Sequence, residues 1–138
     1  TPELSVAEQA AQYGETLWTR EPDACCKMRK VVPLDKALVG YDAWLAGLRR
    51  DQSKTRSSLQ AISWDQRNSK VKIAPLIDWT EEMVWTYIHA YELPYNVLHD
   101  RGYPSIGCTT CTHPVAPGDD VRAGRWVKQG KTECGIHL

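Results

Sequence analysis

The clearest structural signal lies in LQAISWDQRNSKVKIAPLIDWTEEMVWTYIHAY (residues 59–91), which predicts two short strands and then a helix. The strands are expected at residues 59–64 and 71–76, because Val71 and Ile73 alternate with polar neighbours as in a half-buried strand. The helix is expected at residues 81–91. Alternating strands and helices indicate an α/β fold, and two strands are too few for a complete parallel sheet. We therefore expect the chain to form the C-terminal part of such a sheet.

The predicted helix at residues 81–91 has both a start signal and an apolar face. Asp78 or Thr80 precedes it, and either side chain can accept a hydrogen bond from the first free N–H groups of a helix. The apolar stripe consists of Val84, Tyr87, Ile88 and Tyr91. Such a stripe is typical of a helix that packs one face against its domain.

Helical spacing also marks residues 4–13, which end at Gly14, and residues 41–48. Pro22 and Asp23 open a short helix that carries Cys25 and Cys26. After residue 100 the sequence is rich in Gly and Pro, which predicts little regular structure. The expected organisation is an α/β part at residues 1–100 and an irregular, flexible tail at residues 101–138.

The charge balance argues against two classes of function. Of the 138 residues, 17 are Lys or Arg and 17 are Asp or Glu, so the formal net charge is zero at pH 7. Broad nucleic-acid or membrane-surface binding needs a net basic face, so neither partner is expected. The sequence also shows no bilayer-length apolar run and no signal-peptide pattern in its first residues, so a cytoplasmic location is expected.

The five cysteines narrow the function further. An odd number that includes an adjacent pair fits poorly with a disulfide framework, and a reducing compartment favours metal binding or catalysis. Cys108 and Cys111 form a CxxC pair, and Cys25 and Cys26 would supply two more thiolates across the fold. Four thiolates suit either a tetrahedral zinc or an iron–sulfur cluster.

Adjacency favours a cluster over zinc at this site, because neighbouring cysteines reach a single ion only with strain whereas a cluster presents separate irons. Two alternatives remain open on the residues alone. The CxxC pair is also compatible with a redox dithiol, and Cys25 and Cys26 with buried, unreactive thiols.

The fifth cysteine, Cys134, lies in KTECGIH (residues 131–137). Lys131 and His137 would lower its pKa and favour the nucleophilic thiolate, whereas Glu133 works against that effect. On the residues alone, an unreactive thiol in a disordered chain end is the favoured interpretation.

Basic residues cluster at two places despite the zero net charge. The first is GLRRDQSKTR (residues 47–56), and the second holds Arg122, Arg125, Lys128 and Lys131. Lys30 follows Cys26 by one helical turn. Guanidinium groups bind phosphate and sulfate oxygens through a planar fork, so these clusters suit a small anionic ligand. Each residue taken singly is more often a solvated surface charge.

The order of these motifs resembles the assimilatory adenylyl-sulfate (APS) reductases of the APS and phosphoadenylyl-sulfate (PAPS) reductase family. The motifs are CC (residues 25–26), GLRRDQSKTR (47–56), GCTTC (107–111), RAGRW (122–126) and ECGIH (133–137). The resemblance implies a fold similar to the adenine nucleotide alpha-hydrolases, with residues 1–100 as part of the nucleotide-binding domain. It also implies thioredoxin-dependent reduction of APS to sulfite and AMP, in sulfate assimilation and cysteine biosynthesis.

The resemblance assigns roles to individual residues. It implies a 4Fe–4S cluster, which is not the electron donor, on Cys25, Cys26, Cys108 and Cys111. It implies that Cys134 is the nucleophile, carrying an S-sulfocysteine from which thioredoxin releases sulfite. It implies substrate binding by Lys30, Arg56, Arg122, Arg125 and His137. The family's Ser-Gly-Gly-rich phosphate-binding loop is not found, so the chain is expected to be a C-terminal portion; a homo-oligomer is left open.

Two other interpretations remain. PAPS is an alternative substrate, although relatives that use it commonly lack both cysteine pairs and some cluster-containing relatives accept both substrates. The chain is also compatible with a non-catalytic four-cysteine zinc or iron–sulfur module. Such a module would tolerate Cys134→Ser, whereas a reductase would lose sulfite formation.

Overall fold

The computed structural model describes residues 1–127, 129–131 and 133–137, and Lys128 of the second basic cluster lies outside them. Its helices are α1 (Val6–Tyr13), α2 (Leu17–Arg20), α3 (Pro22–Cys26), α4 (Val32–Ala37) and α5 (Glu81–Ala90), and its strands are β1 (Ala43–Leu45), β2 (Ile62–Asp65) and β3 (Lys70–Ile73). Short 3-10 turns occupy Arg50–Gln52, Lys54–Arg56, His99–Arg101 and Thr109–Cys111.

The three strands form one sheet in the order β1-β3-β2. Strands β2 and β3 pair antiparallel, with Trp64 opposite Val71, so the two strands predicted at residues 59–64 and 71–76 are confirmed. Strand β1 pairs parallel to β3, with Trp44 opposite Lys72. A parallel pair requires a long connection, and here two 3-10 segments and β2 lie between β1 and β3 in the sequence.

The prediction of a helix at residues 41–48 is wrong, because this segment contains β1. Burial alternates along it: Trp44, Ala46 and Leu48 are buried, whereas Leu45 is 71% exposed. A period of two is the pattern of a strand, and pairing with β3 overrides the helical spacing of the large apolar residues.

The helix predicted at residues 81–91 is confirmed as α5. Thr80 is its N-cap, since the Thr80 hydroxyl accepts a hydrogen bond from the Met83 N–H at 3.2 Å. The predicted apolar stripe is only partly covered, because Tyr87 is 44% and Tyr91 64% exposed. The half-buried side of α5 instead carries Val84, Trp85 and Ile88.

The helix that carries the cysteine pair continues beyond it through a π-helical turn at Lys27–Val31 into α4. Pro33 has no N–H to donate, which is compatible with the wider turn preceding it. π-Turns occur frequently at functional sites, and this one contains Lys30. The predicted helix at residues 4–13 is confirmed as α1, which is capped by Ser5 and followed by Gly14 at φ 80°.

The core lies on one side of the sheet and receives the end of the chain. Its buried members are Leu38, Trp44, Ala46, Leu48, Ala74 and Ile77. Ile136 packs against this core from the tail. The tail has little regular structure, as predicted, but the described part near Cys134 is folded back onto the α/β part.

Candidate active site around Cys134

The two cysteine pairs come together around one cavity. Cys25 and Cys26 lie at the end of α3, and Cys108 and Cys111 flank a 3-10 turn. All four line a cavity of about 200 Å³. The CxxC loop is closed locally by Thr112, whose hydroxyl donates to the Cys108 carbonyl at 2.8 Å and accepts from the Gly107 N–H at 3.0 Å.

The four thiols of this cavity are a donor set that thiolate-bound metal groups use. Burial raises the pKa of the Cys25 thiol, and the nearby Cys108 and Cys111 raise it further, so the four thiols suit a cation that displaces their protons. Among the described residues, no three metal-ligating side chains converge closely enough to hold one ion. A 4Fe–4S cluster needs its thiolates spread around separate irons, which a cavity lined on several sides provides.

A second, larger cavity contains the candidate nucleophile. It has a volume of about 460 Å³. Its lining includes every residue that the sequence predicts for catalysis or substrate binding, namely Lys30, Arg56, Arg122, Arg125, Cys134 and His137. Lys30 lines both cavities and is therefore close to both the cysteine pairs and Cys134.

Neighbouring groups lower the pKa of the Cys134 thiol. A hydrogen bond from the Cys26 thiol lowers its pKa, against the effect of its own burial, and raises the pKa of Cys26 in return. The Ile136 N–H, Lys30 and Lys131 lower the pKa of Cys134 further. A cluster bound to Cys26 would remove the first of these contributions, because a metal-bound thiolate has no proton to donate.

Two of the predicted substrate-binding arginines hold the tail. The Glu133 carboxylate accepts hydrogen bonds from Arg56 Nη2 at 2.8 Å, Arg56 Nε at 3.1 Å and Arg122 Nη2 at 3.2 Å. Ser53 and Thr55 donate to the same carboxylate at 3.2 and 2.9 Å. These donors hold the pKa of Glu133 below its usual range despite burial, whereas burial lowers the pKa of Arg122.

Arg125 braces the CxxC loop. Its side chain is buried, donating from Nε to the Cys111 carbonyl at 3.2 Å and from Nη1 to the Ser105 hydroxyl at 3.3 Å. The guanidinium lies 4.4 Å from the ring centre of Trp126. It also covers Gly107, where an added Cβ would lie 2.1 Å from Arg125 Nη2, so the glycine before Cys108 is needed for this close approach.

His137 is neutral in this arrangement. It stacks on Trp44 with ring centres 6.0 Å apart, and burial together with Arg56 and Lys72 lowers its pKa to about 4. A neutral imidazole can still donate or accept one hydrogen bond, but it brings no positive charge to a substrate.

Sequence reasoning missed the residues that hold the tail in place. The sequence indicates only a charge effect of Glu133 on Cys134, and it indicates no role for Arg67. Arg67 donates to the carbonyls of Gly135 and Ile136 at 2.6 and 3.2 Å, and its Nε lies 3.2 Å from Asp35. The position of Glu133 in the ECGIH motif was a usable signal; an arginine in a β-hairpin gave none.

Comparison with known proteins places this geometry in a family. The family model described as the phosphoadenosine phosphosulfate reductase domain matches residues 1–114. The chain belongs to the phosphoadenosine phosphosulfate reductase family. The membership expected from the motif order is thus confirmed.

Curated members of this family are similar over almost the whole chain. An adenosine 5'-phosphosulfate reductase of Halalkalibacterium halodurans is 59% identical over 136 residues, covering 99% of this chain and 59% of that protein. One from Geobacillus thermodenitrificans is 54% identical over 137 residues, covering 99% of this chain and 58% of that protein. The chain therefore spans less than two thirds of the length of these relatives.

A solved structure of the family confirms the fold class. It is a PAPS reductase of Candida auris in complex with phosphate, with a TM-score of 0.67 and 34% identity. The match covers 77% of this chain and 52% of that one. The α/β, adenine nucleotide alpha-hydrolase-like fold expected from the sequence is confirmed. Within the part of the chain that the structure describes, no helix is long and apolar enough to span a membrane.

Proposed function

We propose that the protein reduces APS to sulfite and AMP with thioredoxin as reductant, through an S-sulfocysteine on Cys134. One observation carries this proposal: the Cys134 thiol lines the same cavity as Lys30, Arg122 and Arg125. Curated relatives named APS reductases support APS as the substrate. Residues 1–100 would supply the α/β framework and residues 101–138 the CxxC loop and catalytic tail, in a cytoplasmic protein.

The proposed chemistry consists of two displacements at sulfur. The Cys134 thiolate attacks the sulfur of the sulfate group, the bond from that sulfur to the phosphate oxygen breaks, and AMP leaves with the electron pair. A thioredoxin thiolate then attacks Sγ of the S-sulfocysteine, and sulfite leaves with the electron pair of the S–S bond. The second thioredoxin thiol resolves the mixed disulfide, which restores Cys134 and oxidises thioredoxin.

Positive charge is needed at the first step, because an anionic nucleophile attacks an anionic substrate. Lys30 and Arg125 line the cavity and would bind the oxygens on which charge accumulates. Arg49 lies in the same lining and adds a further guanidinium. His137, neutral near pH 7, would contribute a hydrogen bond rather than a charge.

The four cysteines of the smaller cavity are the proposed ligands of a 4Fe–4S cluster. The thiolates would come from Cys25, Cys26, Cys108 and Cys111. Gln9, which is not a proposed ligand, donates a hydrogen bond to Cys25 Sγ at 3.6 Å. When bound, the cluster would supply an electrostatic field and a structural link between α3 and the CxxC loop. Lys30, which lines both cavities, would place a positive charge near both that site and the substrate anion.

PAPS is the second candidate substrate, because the matching family model and the solved Candida auris structure are both described as PAPS reductases. The two substrates differ by a phosphate on the ribose. Sulfite release from APS and from PAPS in parallel, with reduced thioredoxin, would separate them.

The decisive experiment compares Cys134→Ser with the unmodified complete protein. We expect the variant to release no sulfite from either substrate while keeping its full iron content. Sulfite release at the unmodified rate would exclude Cys134 as the nucleophile. Retention of iron with no activity in either protein would favour a non-catalytic cluster module.

A further inference from the structure

The segment around Cys134 is fastened on both sides of the thiol. On the N-terminal side, Glu133 is held by the side chains of Arg56 and Arg122 in an ion-pair cluster with side-chain exposures of only 10–14%. On the C-terminal side, the Arg67 guanidinium donates to two successive backbone carbonyls, those of Gly135 and Ile136. Cys134 lies between these two attachments and is half-buried.

The Glu133 attachment differs from an ordinary surface ion pair. Arg56 approaches the carboxylate with both Nε and Nη2, and two hydroxyl groups complete its shell of donors. Such bidentate, part-buried contacts fix geometry as well as charge. Removal of the carboxylate would take away the shared acceptor of these hydrogen bonds.

The same contacts bear on how the two arginines are used. Arg56 and Arg122 are two of the five residues that the resemblance assigns to the substrate, and in this structure their guanidinium groups are bonded to the tail. Lys30 and Arg125 line the cavity without a bond to Glu133 among the described contacts. All four cations line the cavity, and two of them, Arg56 and Arg122, also bind the tail.

We propose that Glu133 is a positioning residue, which holds the Cys134 thiol in the cavity by binding Arg56 and Arg122, with Arg67 as the second attachment. This inference rests on the proposed role of Cys134 as nucleophile. It gives Arg56 and Arg122 a role in holding the tail, and it predicts a larger effect on turnover than on substrate affinity. Misplacement of a reacting group by about 1 Å costs on the order of 100-fold in rate.

The test uses Glu133→Gln in the complete, cluster-loaded protein, with APS and reduced thioredoxin. We expect kcat to fall by about 10- to 100-fold while KM changes by less than about twofold. Glu133→Asp, which keeps the charge, should recover part of the lost kcat. Glu3→Gln is the matched control, since Glu3 forms an exposed ion pair with Lys36 far along the chain from the tail.

Two kinetic outcomes would overturn the inference. A lower KM in Glu133→Gln would show that the substrate anion competes with Glu133 for the two arginines, so that the carboxylate blocks the site. An unchanged kcat would show that Cys134 is positioned without Glu133.

A second measurement does not depend on the proposed reaction. The rate at which a bulky disulfide reagent modifies Cys134, followed by mass spectrometry of its peptide, should rise about tenfold in Glu133→Gln as the tail detaches. Equal labelling rates in both proteins would contradict the attachment even if the protein turned out not to reduce APS. Faster labelling without APS reduction in the unmodified protein would instead keep the attachment and refute the proposed activity.

Discussion

Gly124→Ala should destabilise the junction between the CxxC loop and the tail. A Cβ at position 124 would lie 2.1 Å from the His113 carbonyl oxygen and 3.0 Å from Val115 Cγ2. The first of these atoms belongs to the backbone and cannot rotate away. The two chain segments must therefore separate where the His113 N–H now donates to the Gly124 carbonyl at 2.8 Å.

The size of the effect follows from three contributions. Overpacking costs about 1–3 kcal/mol, and loss of the backbone hydrogen bond costs about 0.5–1.5 kcal/mol. Alanine restricts the unfolded chain relative to glycine and returns about 0.4–1 kcal/mol. The net expectation is a loss of about 2 kcal/mol in the free energy of unfolding, or a fall of about 4–8 °C in Tm for a protein of 150–250 residues.

The assay is thermal unfolding of the complete protein under anaerobic conditions, with iron content measured on the same samples. Iron should fall together with Tm, because Arg125 follows Gly124 directly and braces the loop through the Cys111 carbonyl. Gly47→Ala is the control, since a Cβ there meets no atom within 4 Å, and its Tm should change by less than about 1 °C. Equal Tm values for the two variants would refute the argument from close approach.

Two further variants test the metal site and the tail. Cys108→Ser should lose most of its iron while Cys134→Ser keeps it, because Cys108 lines the cavity shared by the cysteine pairs and Cys134 does not. Normal iron content in Cys108→Ser would refute the ligand assignment. His137→Gln should make the free energy of unfolding depend less on pH. The pKa of His137 is about 4 in the folded protein and 6.5 ordinarily, so between these pH values the unfolded state binds a proton that the folded state does not. The neutral, buried His137 therefore stabilises the fold above pH 6.5, and this stabilisation is lost as the pH falls through 4. The loss in the free energy of unfolding should be about 1–2 kcal/mol after allowance for partial exposure. Urea unfolding at pH 4, 5.5 and 7.5 would measure it. Parallel pH curves for His137→Gln and the unmodified protein would contradict the neutral, buried state of His137.

The fold was predictable where local pattern and tertiary pairing agree. Strands β2 and β3 form a hairpin from neighbouring segments, so alternation alone located them. Strand β1 was missed because Trp44, Leu45 and Leu48 have helical spacing and apolar side chains on both faces of the strand. Only its pairing with β3, about 28 residues later in the register, makes the segment extended.

The site was predictable to the extent that its residues carry a motif. Cysteine spacing brought together the four thiols that line one cavity, and the basic motifs located the residues around Cys134. Which of the cations bind the tail was not predictable, because this depends on contacts such as that between Arg56 and Glu133, which are 77 residues apart. A charge pattern identifies cations but not the anion that each one meets.

The position of Lys30 links the two cavities in a way that becomes more important once a cluster is bound. Without a metal, the Cys26 thiol donates to Cys134 and makes the largest contribution to lowering its pKa. Metal binding at Cys26 would remove that proton and place negative thiolates nearby, and both changes raise the pKa of Cys134. Lys30 and Lys131 are the cations that remain beside the thiol, and Lys30 comes from the π-turn that directly follows the cysteine pair. The π-turn would therefore bring a compensating positive charge to Cys134 from the same helix that would supply two of the thiolates.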